Sequence, residues 1–315
     1  MANPAGIAID GAGFINANHV TLTTGTAVMN GSSLDAFRVQ GGNIQIDGQG
    51  LDHRSVDYTA ILARAVQINA GLWANELKVV TGTNQISTAS LGANLTPNTT
   101  PIAGSGSAPT VALDVAQLGG MYAGQIMLIG TEAGVGVRNS GLVQTTSGPL
   151  TLSHNGWLAN SGTLYSAGDM TAQAQGRVDN SGTVYAKGQL EITSQATQNH
   201  SGITAALGQV QLTTQGQGAD LQSTQNALIA AGLQADGTLV QGADLSVQAS
   251  GQAALHGQTG SLQNISLQGD SIDISQGRLS AAQAQITARQ GDLSATTSNV
   301  NITHALDLKT PQTLR

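Results

Sequence analysis

The sequence predicts an all-β fold: a right-handed parallel β-helix, a solenoid of about 20 residues per coil with an extra-helical loop or hairpin. Three observations predict this fold. A short turn motif recurs at nearly constant spacing, segments of alternating apolar residues follow it, and charged and aromatic residues are scarce. Together they indicate stacked strands rather than packed helices.

The composition allows a buried core but is unusual for a globular enzyme. Of the 315 residues, 40% are hydrophobic, which is enough to form a core. Charged residues make up 9% of the chain and aromatic residues 3%, while 41 residues are glycine. A core with so few large rings has to be thin and built from Ala, Val, Ile and Leu, which suits a solenoid.

An Asn-Ser-Gly turn motif recurs between residues 139 and 202. Four glycines further along the coils, Gly148, Gly168, Gly188 and Gly208, repeat at a constant spacing. Glycine reaches positive φ without steric cost, and asparagine tolerates it better than most residues. We therefore expect each motif to bend the chain through positive φ at the same place in every coil. The predicted turn residues are Asn139, Gly141, Asn160, Gly162, Asn180, Gly182, Asn199 and Gly202.

Apolar residues alternate with Thr, Ser and Gln in the short segment that follows each motif. This alternation places one set of side chains inward, as in a half-buried strand. Because no helical stretch separates these strands, we expect successive coils to pair in parallel. A leucine-rich repeat has a similar period, but it needs a dense leucine framework that this chain lacks. The predicted inward residues are Leu150, Leu152, Met170, Ala172, Leu190, Ile192, Val210 and Leu212, then more loosely Leu245, Val247, Ile265, Leu267, Ala284, Ile286, Leu306 and Leu308.

Residues 1 to 138 are also strand-like, but their spacing is less regular. Residues 87–112 hold Pro97, Pro101 and Pro109 among Ser, Gly and Thr, so we expect a loop or hairpin that stands off the solenoid. The inward positions predicted in this part are Ile7, Ile9, Val20, Leu22, Val39, Ile44, Ile46, Val66, Ile68, Leu77 and Val79.

The segment Asn3-Pro4-Ala5-Gly6-Ile7 resembles the NPNGI motif in the secretion domain of filamentous haemagglutinin and of the CdiA exoproteins. Asn3, Pro4, Gly6 and Ile7 match this motif, and Ala5 stands where the family usually has Asn. Further segments resemble the family in the same order: residues 13–16, 20–25, 57–58, 64–70, 79–84, 119–123 and 129–139.

The resemblance implies a secreted exoprotein of two-partner secretion that is located at the bacterial cell surface. Its partners would be an outer-membrane β-barrel transporter with POTRA domains and a receptor or glycan on a host or neighbouring cell. Residues 1–138 would be the C-terminal part of the secretion domain, and residues 139–315 the start of the β-helical repeat shaft. Such a shaft serves attachment, or forms the stalk of a contact-dependent growth inhibition toxin.

The start of the chain also carries an expectation. Met1 does not begin a signal peptide, and in the family an earlier motif and a cap precede the segment that Asn3 begins. We therefore expect this chain to be a piece of a longer protein. A solenoid cut in this way exposes unpaired strand edges, so we expect the isolated chain to associate or fold poorly.

Charge and residue usage argue against several classes of function. The net charge is −7, and the 11 basic residues are scattered, so we expect no nucleic-acid partner. The chain has no cysteine, which excludes disulfides and thiolate metal sites, and it lacks a run of about 18 apolar residues that would span a membrane. The histidines lack the short spacing of a metal site, so we expect exposed side chains, no metal and no cofactor. They are His19, His53, His154, His200, His256 and His304.

A β-helical polysaccharide lyase or hydrolase is the alternative function. Such enzymes place two or three carboxylates and a basic residue on neighbouring coils. The densest ionisable patch in the sequence comprises Asp47, Asp52, His53, Arg54 and Asp57. Because this patch lies within the part that resembles the secretion domain, we expect a structural loop there, no catalytic residues and no enzymatic activity.

Overall fold

The computed structural model describes residues 1–240 and 242–311. The chain forms two compact units, Met1–Leu158 and Ala159–Arg315, which we call the first and the second unit. Each is a parallel β-solenoid with about 21 residues per coil, which confirms the predicted all-β class. In the described ranges the helical structure is a 3₁₀ turn at Thr88–Ser90, and no helix there is long and apolar enough to cross a bilayer.

The first unit contains strands β1 to β17. Their bounds are β1 (Ile7–Gly13), β2 (His19–Thr23), β3 (Thr26–Asn30), β4 (Ser33–Val39), β5 (Asn43–His53), β6 (Tyr58–Ala63), β7 (Ala65–Ile68), β8 (Gly71–Ala74), β9 (Glu76–Thr81), β10 (Asn84–Ser87), β11 (Thr99–Pro101), β12 (Val111–Val115), β13 (Gly120–Ala123), β14 (Gln125–Gly130), β15 (Gly136–Asn139), β16 (Leu142–Thr145) and β17 (Leu150–His154).

The second unit follows, with β18 beginning one residue before the division. The bounds are β18 (Leu158–Asn160), β19 (Thr163–Ser166), β20 (Met170–Ala174), β21 (Val178–Asn180), β22 (Thr183–Ala186), β23 (Leu190–Ser194), β24 (Gln198–His200), β25 (Ile203–Ala206), β26 (Val210–Thr214), β27 (Leu221–Ser223), β28 (Leu228–Ala231), β29 (Leu245–Gln248), β30 (Gln252–Leu255), β31 (Gln258–Gly260), β32 (Asn264–Gly269), β33 (Ser271–Asp273), β34 (Arg278–Ala288), β35 (Leu293–Ser294) and β36 (Asn299–Lys309).

Strands of successive coils pair in parallel and in register. In the first unit β9 pairs with β14 and β14 with β17, and in the second unit β20 pairs with β23 and β23 with β26. The amide of Gly188 donates to the carbonyl of Gly168, and that of Gly208 to the carbonyl of Gly188, both at 2.9 Å. These three evenly spaced glycines therefore line up along the coils of the second unit as predicted.

Aliphatic side chains from successive coils fill the interior of each unit. All of the predicted inward residues are buried except the last two, so the alternation identified the core correctly. Leu306 and Leu308, in β36, are 46% and 38% exposed, and for them the prediction is wrong. Strand β36 pairs with β34, and among the described residues no further coil covers its other side.

The extra-helical element is larger than expected. Residues 84–101 do leave the solenoid, but they pair with a second insertion, the β3–β4 hairpin, in a four-stranded antiparallel sheet of order β11-β10-β4-β3. The predicted inward residue Val39 lies in this sheet and packs in a cluster with Leu62, Val80 and Ile86. The sheet is therefore joined to the solenoid by a shared apolar core.

The physical reason that we expected for the turn glycines is wrong. The Ser-Gly pairs of the motif do lie at bends, but Gly141, Gly182 and Gly202 do not have positive φ. Instead, a Cβ atom on Gly182 would lie 2.1 Å from the carbonyl oxygen of Gly162, and one on Gly202 would lie 2.0 Å from that of Gly182. Glycine is needed because the neighbouring coil approaches too closely for a side chain.

Three of the four motif asparagines point inward, and those of the second unit begin a ladder of hydrogen bonds. Asn139, Asn160 and Asn180 are buried and each ends a strand. In the second unit the amide of Asn160 donates to Oδ1 of Asn180 at 2.8 Å, and the amide of Asn180 donates to the carbonyl oxygen of Ile203 at 2.8 Å. These amides satisfy buried backbone and side-chain groups from one coil to the next.

The predicted turn residue Asn199 is not the next member of this ladder. The register of β21 and β24 places His200 opposite Asn180, and Asn199 opposite Asp179. The amide of Asn199 donates to the Asp179 carboxylate at 2.7 Å on the outer side. The alternation of inward and outward residues fixes this register, so a motif shifted by one residue places a different side chain in the ladder.

Three of the six histidines are buried, so the expectation that all of them are exposed is wrong. His53, His154 and His200 are at most 4% exposed. The ring of His200 contacts Thr204 Oγ1 at 2.8 Å and Gln198 Oε1 at 3.2 Å. Burial lowers the pKa of His154 and of His200 to about 4, because a charged imidazole would lose its hydration.

This burial predicts that stability falls in mild acid. The unfolded chain binds a proton at each of these histidines near pH 6.5, whereas the folded chain does so only near pH 4. Stability is therefore lost as pH falls from about 6.5 towards 4, and His200 alone contributes about 2 kcal/mol of loss between pH 7 and pH 5. Urea unfolding at both pH values should show a smaller loss for His200→Asn. The exposed control His304→Asn should keep the wild-type loss, and equal losses in the two variants would contradict the assignment.

Candidate functional site

The segment Asn3 to Ile7 forms a tight turn that leads into β1. The amide of Gly6 donates to the carbonyl of Asn3 at 3.0 Å, which closes the turn. The Asn3 side chain braces it on both sides, because its Nδ2 donates to the carbonyl of Gly6 at 2.8 Å and its Oδ1 accepts from the amide of Ala5 at 3.2 Å. Asparagine suits this position because its short side chain reaches its own backbone.

The other motif residues fix the turn against the next coil. Gly6 has a φ of +119°, and a Cβ atom there would lie 3.0 Å from the carbonyl oxygen of Asn43. Both the backbone conformation and the close approach of Asn43 therefore favour glycine. Ile7 is buried and pairs with Ile44 of β5. Residues 1–5 are exposed. The turn thus presents Pro4 and Ala5 to solvent on a rigid base.

Two carboxylates of the predicted ionisable patch are engaged by other side chains. Asp52 forms an exposed ion pair with Arg54, which lowers the pKa of the Asp52 carboxyl to about 2. A general acid needs the opposite shift. The carboxylate of Asp47 instead accepts hydrogen bonds from the amides of Gln45 and Asn69, both at 2.7 Å.

The remaining members of the patch have structural positions. His53 is buried, and its Nδ1 lies 3.0 Å from Thr59 Oγ1. The His53 and Phe14 rings form a T-shaped pair with centres 5.0 Å apart. Burial also lowers the pKa of His53, so the ring is neutral near pH 7. Asp57 is exposed, and its amide donates to the carbonyl of Asn18. Asp47, Asp52 and His53 therefore belong to β5, and Arg54 and Asp57 lie in the bend between β5 and β6.

A buried ion pair that the sequence did not indicate joins the solenoid to the insertion at 84–101. Lys78 is 1% exposed, and its Nζ lies 2.6 Å from the carboxylate of Glu76. The ammonium also donates to the carbonyls of Leu91 and Gly92 and lies 5.1 Å from the centre of the Tyr58 ring. Every donor of the ammonium therefore has a partner, as a buried charge requires.

A second ion pair ties two loops of the first unit together. The guanidinium of Arg64 donates to both carboxylate oxygens of Glu132, at 2.7 and 3.1 Å. It also donates to the carbonyl of Ser105 at 2.7 Å, and Arg64 is 7% exposed. Arginine suits this site because its planar fork can engage a carboxylate and a carbonyl at once.

Clusters of metal ligands and open grooves are two further kinds of candidate site. Within residues 1–240 and 242–311, no three His, Asp or Glu side chains lie close enough together to share a metal ion. An open polar groove of about 490 Å³ lies in the second unit, with Asn199, Gln222 and His256 among its lining residues. His256 there pairs with Asp273 at 3.2 Å, and burial is partial for both side chains.

Comparison with known proteins identifies the first unit. The family model "TPS secretion domain" matches residues 1–160 of this chain. Toxin CdiA of Yersinia pestis is 50% identical over 167 residues, which cover 53% of this chain and 5% of that protein. The tRNA nuclease CdiA-2 of Burkholderia pseudomallei (strain 1026b) is 48% identical over 163 residues, which cover 51% of this chain and 5% of that protein. The resemblance predicted from the motifs is confirmed.

The chain spans about 5% of the length of these relatives. Among solved structures, the crystal structure of the filamentous hemagglutinin secretion domain is similar, with 29% sequence identity and a TM-score of 0.46. The alignment covers 61% of this chain and 62% of that one.

Proposed function

We propose that this chain, which belongs to the TPS secretion domain family, directs a secreted two-partner exoprotein to an outer-membrane transporter. The family match over residues 1–160 carries this proposal. The turn from Asn3 to Ile7 supports it, because exposed residues lie there on a braced and sterically determined backbone. Such a rigid turn suits specific recognition.

We further propose that the transporter is a β-barrel with POTRA domains and that the chain folds at the cell surface as it emerges. The pairing of each coil with its neighbours supports this order of events. Strands β20, β23 and β26 pair in the order in which they occur in the sequence. A coil that has emerged can therefore template the next one, and the free energy of pairing would favour outward movement.

For the two parts of the chain we propose different roles. Residues 1–138 would serve as the C-terminal part of the secretion domain, and residues 139–315 as the start of a repeat shaft held at the cell surface. The shaft would carry distal regions towards a receptor or glycan on a host or neighbouring cell. The toxin and nuclease names of the relatives support the stalk of a contact-dependent growth inhibition toxin. The role of this chain would be structural rather than enzymatic.

An export assay tests the proposal. The chain, fused to a cleavable signal peptide, is produced in a Gram-negative host with and without a two-partner transporter, and its amount in the medium and on the surface is measured. We expect export only with the transporter. Asn3→Ala removes two hydrogen bonds of about 1 kcal/mol each, so the equilibrium constant for forming the turn should fall about thirtyfold, and export should fall with it.

The matched control is Asn30→Ala. Asn30 is also exposed, but it lies at the tip of the β3–β4 hairpin, away from the motif. This variant should be exported like the wild type. Export without the transporter, or equal export of the two variants, would contradict the proposal.

A further inference from the structure

Two aromatic side chains of the first unit form a flat surface on the outside of neighbouring coils. Trp73 of β8 and Tyr122 of β13 lie opposite each other in the parallel register. Their ring centres are 5.9 Å apart, and the ring planes differ by 12°. Both side chains are partly exposed. We call this pair the aromatic platform.

Each ring folds back over the glycine two residues before it. A Cβ atom on Gly71 would lie 2.2 Å from the Trp73 ring, and one on Gly120 would lie 2.7 Å from a carbon of the Tyr122 ring. One side of each ring therefore rests on glycine backbone, and the exposed part faces away from the sheet. A larger residue at either glycine would push its ring off the surface.

Polar side chains continue the same column on both sides of the aromatic platform. Asp52 of β5 lies opposite Trp73, and Gln144 of β16 lies opposite Tyr122. Asp52 is neutralised locally by its ion pair with Arg54. Among the described residues, neither the indole N–H of Trp73 nor the Tyr122 hydroxyl has a hydrogen-bond partner. Apolar ring faces thus lie beside free donors and acceptors.

Another aromatic pair on neighbouring coils shows a contrasting arrangement. Tyr165 and Tyr185 also lie on neighbouring coils with ring centres 5.9 Å apart. However, the Tyr185 hydroxyl donates to the carbonyl of Leu233. Tyr185 and Leu239 also pack against a buried cluster that contains Leu233. That pair is therefore tied to its own loop, whereas the aromatic platform is left open.

We infer that the aromatic platform binds uncharged β-linked oligosaccharides. A pyranose ring has a flat C–H face that packs on an aromatic face, while its hydroxyls need nearby hydrogen-bond partners. The two ring centres, 5.9 Å apart, lie at roughly the spacing of adjacent sugars in a β-linked chain. The net charge of −7 disfavours polyanionic glycans. The inference rests on the attachment role proposed above and gives it a ligand class and a site.

Titration with the β1,4-linked N-acetylglucosamine trimer and with cellotriose tests the inference. The Trp157→Phe variant leaves Trp73 as the single tryptophan, so its fluorescence reports binding at the aromatic platform. We expect saturable binding of at least one trimer with a dissociation constant of about 1 mM or lower. Absence of saturable binding of both trimers, or tighter binding of a heparin oligosaccharide than of either trimer, would overturn the inference.

Leucine variants separate binding from a purely structural role of the rings. Trp73→Leu and Tyr122→Leu still cover the glycines but remove the ring faces, and calorimetry should show at least about tenfold weaker binding. The control Tyr165→Leu should bind like the wild type. Unchanged binding by both platform variants, measured on folded protein, would overturn the inference. Both variants should still be exported by the transporter, so failure of this inference leaves the export proposal intact.

Discussion

Replacing Lys78 with methionine is expected to destabilise the first unit by about 3 to 5 kcal/mol. The variant keeps an unbranched apolar stem but removes the ammonium group of a residue that is 1% exposed. It leaves the carboxylate of Glu76 buried without its cation, and the carbonyls of Leu91 and Gly92 without their donor. Urea unfolding at pH 7 measures the loss.

The chain supplies a closely matched control in Lys309. Its ammonium pairs at 2.9 Å with Asp307, two residues earlier on the same strand, as Lys78 pairs with Glu76. The side chains of this second pair are more than half exposed, so Lys309→Met should change stability by at most about 1 kcal/mol. Similar losses of stability in the two variants would contradict the claim that burial of the Lys78–Glu76 pair causes the large effect.

Much of the solenoid could be predicted because its signals are local and repeated. The alternation after each Asn-Ser-Gly motif identified nearly all inward side chains, and the constant spacing of the motifs identified which coils pair. The same reliance on spacing explains the misplacement of Asn199. A recurring motif indicates where each coil turns, but whether a side chain points inward depends on the exact pairing register. In that register His200, and not the motif residue Asn199, lies opposite Asn180.

The extra-helical sheet could not be predicted, because its strands pair over long separations in sequence. Residues 26–39 resemble any other strands of the solenoid, and nothing local indicates that they pair with residues 84–101. The burial of Lys78 depends on the insertion at 84–101. A lysine in a sequence is ordinarily expected at the surface. Lys78 is buried because the segment around Leu91 folds over β9.

The turn at Asn3 and the aromatic platform also differ in how far the sequence alone could predict them. The turn at Asn3 is a contiguous motif, so its residues could be predicted together. The aromatic platform joins Trp73 to Tyr122, which lie far apart in the sequence because the insertion lengthens the intervening coil. The repeat period of the later coils does not predict that these two side chains are neighbours. Their position opposite each other follows from the observed pairing of β8 with β13.

A large effect of a single methyl group is expected at the turn glycines. In Gly182→Ala the new Cβ atom would lie 2.1 Å from the carbonyl oxygen of Gly162, far inside van der Waals contact. That carbonyl accepts the hydrogen bond from the amide of Thr183 at 2.9 Å, so it cannot retreat without breaking the ladder between coils. We expect a loss of about 3 kcal/mol or more in the second unit, measured by urea unfolding.

Gly260→Ala is the control that separates this clash from the general effect of alanine. Gly260 is buried in the same unit and also lacks positive φ, but the nearest atom to its new Cβ would be Cδ1 of Leu239 at 3.5 Å, an ordinary contact. Alanine there restricts the unfolded chain without crowding the folded one, so stability should stay within about 1 kcal/mol of the wild type. If Gly182→Ala were as stable as Gly260→Ala, close approach of the coils would not be the reason for glycine at the turns, and the stacking geometry inferred for the motif would be wrong.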